Sequence, residues 1–118
     1  MTYGFHPEAR LEYLEAIDFY ESRRTGLGAA FTREVEASIQ RIVEEPTRWR
    51  IIEQDVHRCL THTFPFGILY TIEGDFVLIV AIAHGSREPR FWRHRVAEEI
   101  KFLQRLRFAN AKCRIRTR

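Results

Sequence analysis

The sequence predicts an α+β fold: a short N-terminal strand, an antiparallel helical hairpin packed on a mostly antiparallel sheet of about four strands, and a C-terminal helix. Three observations predict it. The stretch 64–87, FPFGILYTIEGDFVLIVAIAHGSR, holds two apolar runs, 66–72 and 76–83, split by Glu73-Gly74-Asp75. Both are rich in Ile, Val, Phe and Tyr and short enough for strands, which is the pattern of a β-hairpin. Two amphipathic helical patterns precede that hairpin. The resulting order places the helices on one side of an antiparallel sheet.

Residues 2–5 are a short apolar segment ended by His6-Pro7, either an edge strand or a frayed end. Pro7 suits the first turn of a helix, where a missing N–H costs nothing. Glu8, Glu12 and Glu15 suit the positive end of its dipole. Ala9, Tyr13, Ala16, Ile17 and Tyr20 recur at helical spacing and give one apolar face. Glu21, Arg23 and Arg24 close the helix, and Gly26-Leu27-Gly28 breaks it. A second helix is predicted over 29–45, with Phe31, Val35, Ile39 and Ile42 as its stripe and Pro46 as its end.

Residues 47–55 read as a connector anchored by Trp49, Ile51 and Ile52. Residues 56–63 read as a strand. Val56, Arg58, Leu60 and His62 point one way; His57, Cys59, Thr61 and Thr63 point the other. Pro65 lacks a ladder donor and belongs at a strand start or edge. With Gly74-Asp75 at the hairpin tip, His84 lies level with Pro65 and shares a face with Leu69, Thr71 and Ile82.

The run 76–83 has no polar residue, and a strand apolar on both pleat faces is normally covered on both sides. The helical pair covers one. The other falls to a predicted third helix, with Trp92, Val96, Ile100, Leu103 and Leu106 on one face, or to a partner.

At 118 residues the chain is long enough for one domain with one modest core. The 45% hydrophobic and 30% charged composition is that of a soluble globular protein. No run is long and apolar enough to span a membrane, and no signal pattern opens the chain, so a cytoplasmic location is expected. Cys59 and Cys113 read as free thiols. Residues 86–118 carry net charge +8 against −5 for residues 1–85, which suggests an anionic partner for the basic end.

An ordered set of residues resembles the RelE/ParE superfamily of toxins from type II toxin–antitoxin pairs, in particular ParE-like members once described as plasmid stabilisation proteins. The set starts with Phe5-His6-Pro7-Glu8-Ala9, Tyr20, Gly26-Leu27-Gly28, Phe31 and Pro46. It continues with Arg58, Phe64-Pro65-Phe66, Tyr70 and His84-x-x-Arg87-x-Pro89-x-x-Trp92. The resemblance implies a toxin domain over 1–95 and a basic C-terminal helix and tail over 96–118. It also implies growth inhibition and neutralisation by a cognate antitoxin. ParE-like members act on DNA gyrase; RelE-like members cut mRNA on the ribosome. An antitoxin segment on the sheet or on Val96, Ile100 and Leu103 would supply a missing cover.

RNA cleavage needs a base, cations for the phosphate, and an acid. Arg58, Arg87 and His84 are the candidate catalytic set on a nuclease reading, with Tyr70 a less plausible proton carrier. Equally, His84 anchors a strand end by hydrogen bonds. On a binding reading Arg58, Arg87, Arg90, Trp92 and Arg93 form the anion or target surface. Trp92 cannot exchange a proton and no Lys precedes Lys101, which favours binding. Cys59 and His62 lie three apart on a strand and face opposite ways, so no metal site is expected, and nothing calls for a cofactor.

Overall fold

Two helices set the frame. The computed structural model describes residues 1–86 and 90–96. After strand β1 (Thr2–Phe5), Pro7 opens helix α1 (Pro7–Arg23), where the His6 ring accepts the Glu8 N–H at 3.0 Å. Helix α2 (Leu27–Glu44) follows after a three-residue link. Gly26 there takes a φ of +90°, a left-handed conformation that a side chain would strain. The Glu21 carboxylate accepts the Gly26 and Gly28 N–H groups and so satisfies the free donors of the α2 start. Gly28 lies inside α2 and not in the link. A Cβ there would meet the Ile17 carbonyl oxygen at 2.9 Å, so glycine is what lets the helices approach.

The sheet holds β2 (Ile51–Glu53), β3 (Val56–Leu60), β4 (Phe66–Glu73) and β5 (Phe76–His84), with strand order β1-β5-β4-β3-β2. It is antiparallel except for the β1–β5 pair. The expected 56–63 strand ends at Leu60. Ile51 and Ile52, expected as connector anchors, form a fifth strand, too short for a periodicity to reveal.

Two cores lie on the two faces. Phe31, Val35, Ile39 and Ile42 of α2 and Ala9 and Ala16 of α1 pack on Cys59, Ile68, Tyr70, Val77, Ile79 and Ile82. These are the predicted helical stripes. At one end Tyr20, Phe31, Phe64 and Phe66 interlock as tilted and edge-on rings with centroids 4.8–6.2 Å apart. The opposite face carries Val56, Leu69, Leu78, Val80, Ala81 and Ala83, covered by Trp92 and Val96 of the same chain. A cover in cis therefore exists for the second face. Residues 93–96 are helical; the expected continuation through Ile100, Leu103 and Leu106 lies outside the described residues, as does Cys113.

The hairpin register corrects one expectation. From the tip, Glu73 pairs with Phe76 and Tyr70 with Ile79, but Leu69 pairs with Ala81. Val80 is the extra residue of a β-bulge. The slip sets His84 opposite Phe66 instead of Pro65. It also puts Leu69 and Thr71 on the face away from Ile82 and His84, because one added residue reverses the alternation.

Candidate functional site

At the open end of the hairpin the second face runs into a cleft of about 830 Å³. Its floor is Leu69, Gly67 and Ala83, its near rim the 61–66 loop, and its far wall Arg90, Phe91 and Trp92. Gly67 matters locally. The Arg58 stem lies across it, and a Cβ there would meet Arg58 Cγ at 3.3 Å.

Arg58 and Leu60 stand exposed on β3 facing the cleft, Leu60 with 60% of its surface open. Among the described residues Arg58 has no acidic partner. The rim loop is fixed from below. Glu34 of α2 accepts the Thr63 N–H at 2.6 Å and the Phe64 N–H at 3.4 Å. Burial pushes the Glu34 carboxyl up, but these donors outweigh it and hold it below the usual carboxylate range.

His84 reaches the cleft from the other face, at the sheet end, with its ring edge-on to Phe66 at 5.3 Å. Its Nδ1 lies 3.0 Å from the Ser86 N–H and 2.8 Å from Ser86 Oγ. An imidazole nitrogen that accepts an N–H carries no proton, so the neutral ring is protonated on Nε2. Arg58 and His84 thus line one cleft from opposite faces. Arg87 lies outside the described residues.

Tyr70 does not reach this cleft. It is fully buried on the helix side, stacked on His57 with centroids 5.0 Å apart, and its hydroxyl donates to the Pro46 carbonyl at 2.5 Å. Burial pushes its hydroxyl well above the usual range, so it is a poor proton carrier at neutral pH.

Arg90 and Arg93 share one carboxylate, Glu53 of β2: Arg90 Nε stands 3.5 Å from Glu53 Oε1, and Arg93 pairs with Glu53 Oε2. Their positive charge is therefore partly cancelled at the cleft wall. Trp92 is buried on the second core and offers no open indole face; Val96 is buried with it.

Sequence reasoning missed Arg95. It is 4% exposed, with Nη1 and Nη2 on Glu12 Oε1 and Oε2 at 3.0 and 2.7 Å and Nη1 also on the Val80 carbonyl at 3.1 Å. Its Nε lies 3.0 Å from Glu8 Oε1, out of line for a hydrogen bond, and its guanidinium sits over the Phe91 ring at 5.0 Å. Desolvation raises the Glu8 carboxyl, but Arg95, His94 and His6 together lower it further. The available signal was spacing: Arg95 falls three after Trp92 and beside Val96, on the buried side of a helical turn.

A helical hairpin on one face of a five-stranded sheet, with a partly basic cleft at the sheet end, defines a small α+β protein. The chromosomal ParDE TA system from P. aeruginosa contains a chain of similar fold, at TM-score 0.63 and 15% identity, with 71% of this chain and 95% of that chain covered. The sequence model of the ParE toxin of type II toxin–antitoxin systems, parDE, matches residues 3–89. The chain belongs to the ParE toxin family. A comparison with curated proteins gave no match. Among the described residues no helix is long and apolar enough to cross a membrane.

Proposed function

We propose that this ParE-family chain arrests growth by binding DNA gyrase through the cleft face, and that a cognate antitoxin neutralises it. The antitoxin partner follows from the family and from the ParDE pair to which the fold is similar. The observation that carries binding over cleavage is the make-up of the cleft. It presents a guanidinium without a described counterion, Arg58, beside an exposed leucine, Leu60. A fixed, permanently charged fork next to apolar surface suits recognition of a carboxylate or phosphate on a macromolecule. For acid–base work the same cleft is poorly furnished. Tyr70 is buried elsewhere, and His84 comes from the opposite face with Nδ1 committed to Ser86.

The antitoxin is expected to cover this face, because Leu60, Arg58 and the rim are its open apolar and basic surface. The test uses purified chain in a gyrase supercoiling assay beside a cell-free translation assay. Inhibited supercoiling with intact translation is expected. Cleaved mRNA with unaffected supercoiling would replace this reading by the ribosome-dependent nuclease, with Arg58, His84 and Arg87 as its set. No effect in either assay would mark an inactive relative.

A further inference from the structure

We propose that residues 90–96 form a strap that opens as a unit apart from the main core, and that Arg95 is its latch. Among the described residues the apolar contact of the strap with the sheet is made by Trp92 and Val96, buried on the second core, with Phe91 half-buried beside them. Arg90 and Arg93 also pair with Glu53, and His94 stands 3.5 Å from Glu8, but these strap side chains are solvent-exposed and such pairs are worth little. The buried polar contact is that of Arg95, and every partner of its guanidinium outside the strap belongs to the body: Glu8 and Glu12 of α1, and the Val80 carbonyl at the bulge.

The bulge explains why the latch sits there. Strand β1 ends at Phe5, paired with Ile79, and the His6 N–H takes the Ile79 carbonyl. Beyond that point the outer edge of β5 has no strand beside it. The Ile82 N–H donates to Glu12 Oε1 at 3.1 Å, and the Val80 carbonyl accepts from Arg95. Side chains thus close this edge, where a neighbouring strand would otherwise pair. Release of the strap breaks no ladder hydrogen bond, because the groups it frees are edge groups that water can reach.

A buried ion pair adds little net stability against an apolar pair of the same shape, yet losing one partner is costly. Such a contact favours a fastened or an open strap over intermediate placements. Arg90, Phe91 and Trp92 of the strap form the far wall of the cleft. Arg95, on the other side of the strap, is therefore a positioning residue for that wall. This inference concerns the shape of the cleft and does not depend on what the cleft binds.

Native-state hydrogen exchange on the full chain tests it. The hydrogen-bonded amides of Arg93, Arg95 and Val96 are expected to exchange at least 10-fold faster than those of Ile39, Ile42 and Ile79, through an opening insensitive to low denaturant. In Arg95→Met, which leaves Glu12 without its buried guanidinium, the strap amides should speed up a further 10-fold or more while α2 is unchanged. Equal rates for strap and α2 in the parent, or a variant that changes both equally or neither, would overturn the latch. Should Arg95→Met fail to fold, Arg95→Lys, which keeps the charge and loses the fork, is measured in its place with the same outcomes.

Discussion

The two faces of the sheet are covered in different ways. One lies under helices of 17 and 18 residues, with an apolar stripe and interlocked rings. Among the described residues, the other lies under the strap, with the buried apolar side chains of Trp92 and Val96 and a buried ion pair. The first arrangement buries much apolar area with little polar demand, and hydrophobic burial is the main favourable term in folding. The second trades area for directional contacts. Stability is thereby assigned to the helix face, and among the described residues the cleft face keeps Arg58 and Leu60 exposed.

The largest expected effect falls on the helix face. Phe31 is fully buried at the centre of the aromatic cluster, and Phe31→Ala should cost about 3–5 kcal/mol by denaturant unfolding. Ile39→Ala should cost about 2–5 kcal/mol. Losses within about 0.5 kcal/mol, the range of exposed sites, would break the comparison. Gly28→Ala comes next, at about 1–3 kcal/mol, because its Cβ would strike the backbone of α1 and the helices would have to part.

Smaller again is Glu34→Gln, about 1–2 kcal/mol at neutral pH from two weakened hydrogen bonds to a charged acceptor. Its sign with pH is fixed. The folded carboxyl titrates below its unfolded value, so the stability it contributes is present above about pH 4.3 and is lost as pH falls through the folded value. The acid limb of the melting curve should therefore be shallower in the variant. An identical acid limb would show that the rim loop is not held by this carboxylate.

Much of the helix face was legible because its pattern is redundant. Phe31, Val35, Ile39 and Ile42 repeat at helical spacing, and the 66–83 hairpin announces itself by a Gly-Asp tip between apolar runs. The cleft face was legible only in part. Every residue from 76 to 83 is apolar, so no alternation exists in which a bulge at Val80 would show, and the face of Leu69 relative to His84 was read wrongly. Ile51–Glu53 is too short to carry a period. The pairing of Glu53 with Arg90 and Arg93, and of Glu12 with Arg95, joins residues far apart in sequence. An arginine on a helix ordinarily faces water, so nothing local marked Arg95 as buried.

On the proposed function the cleft face acts while the helix face supports. Arg58→Ala addresses it most directly, since the side chain is exposed and has no described acidic partner. Gyrase supercoiling in the presence of the parent and the variant, with thermal melting of both, is the measurement. The expected result is a melting change equivalent to less than about 0.5 kcal/mol and an inhibitory concentration raised at least about 10-fold, the loss of roughly 1.4 kcal/mol of contact. Undiminished inhibition of gyrase by a folded Arg58→Ala chain would contradict it.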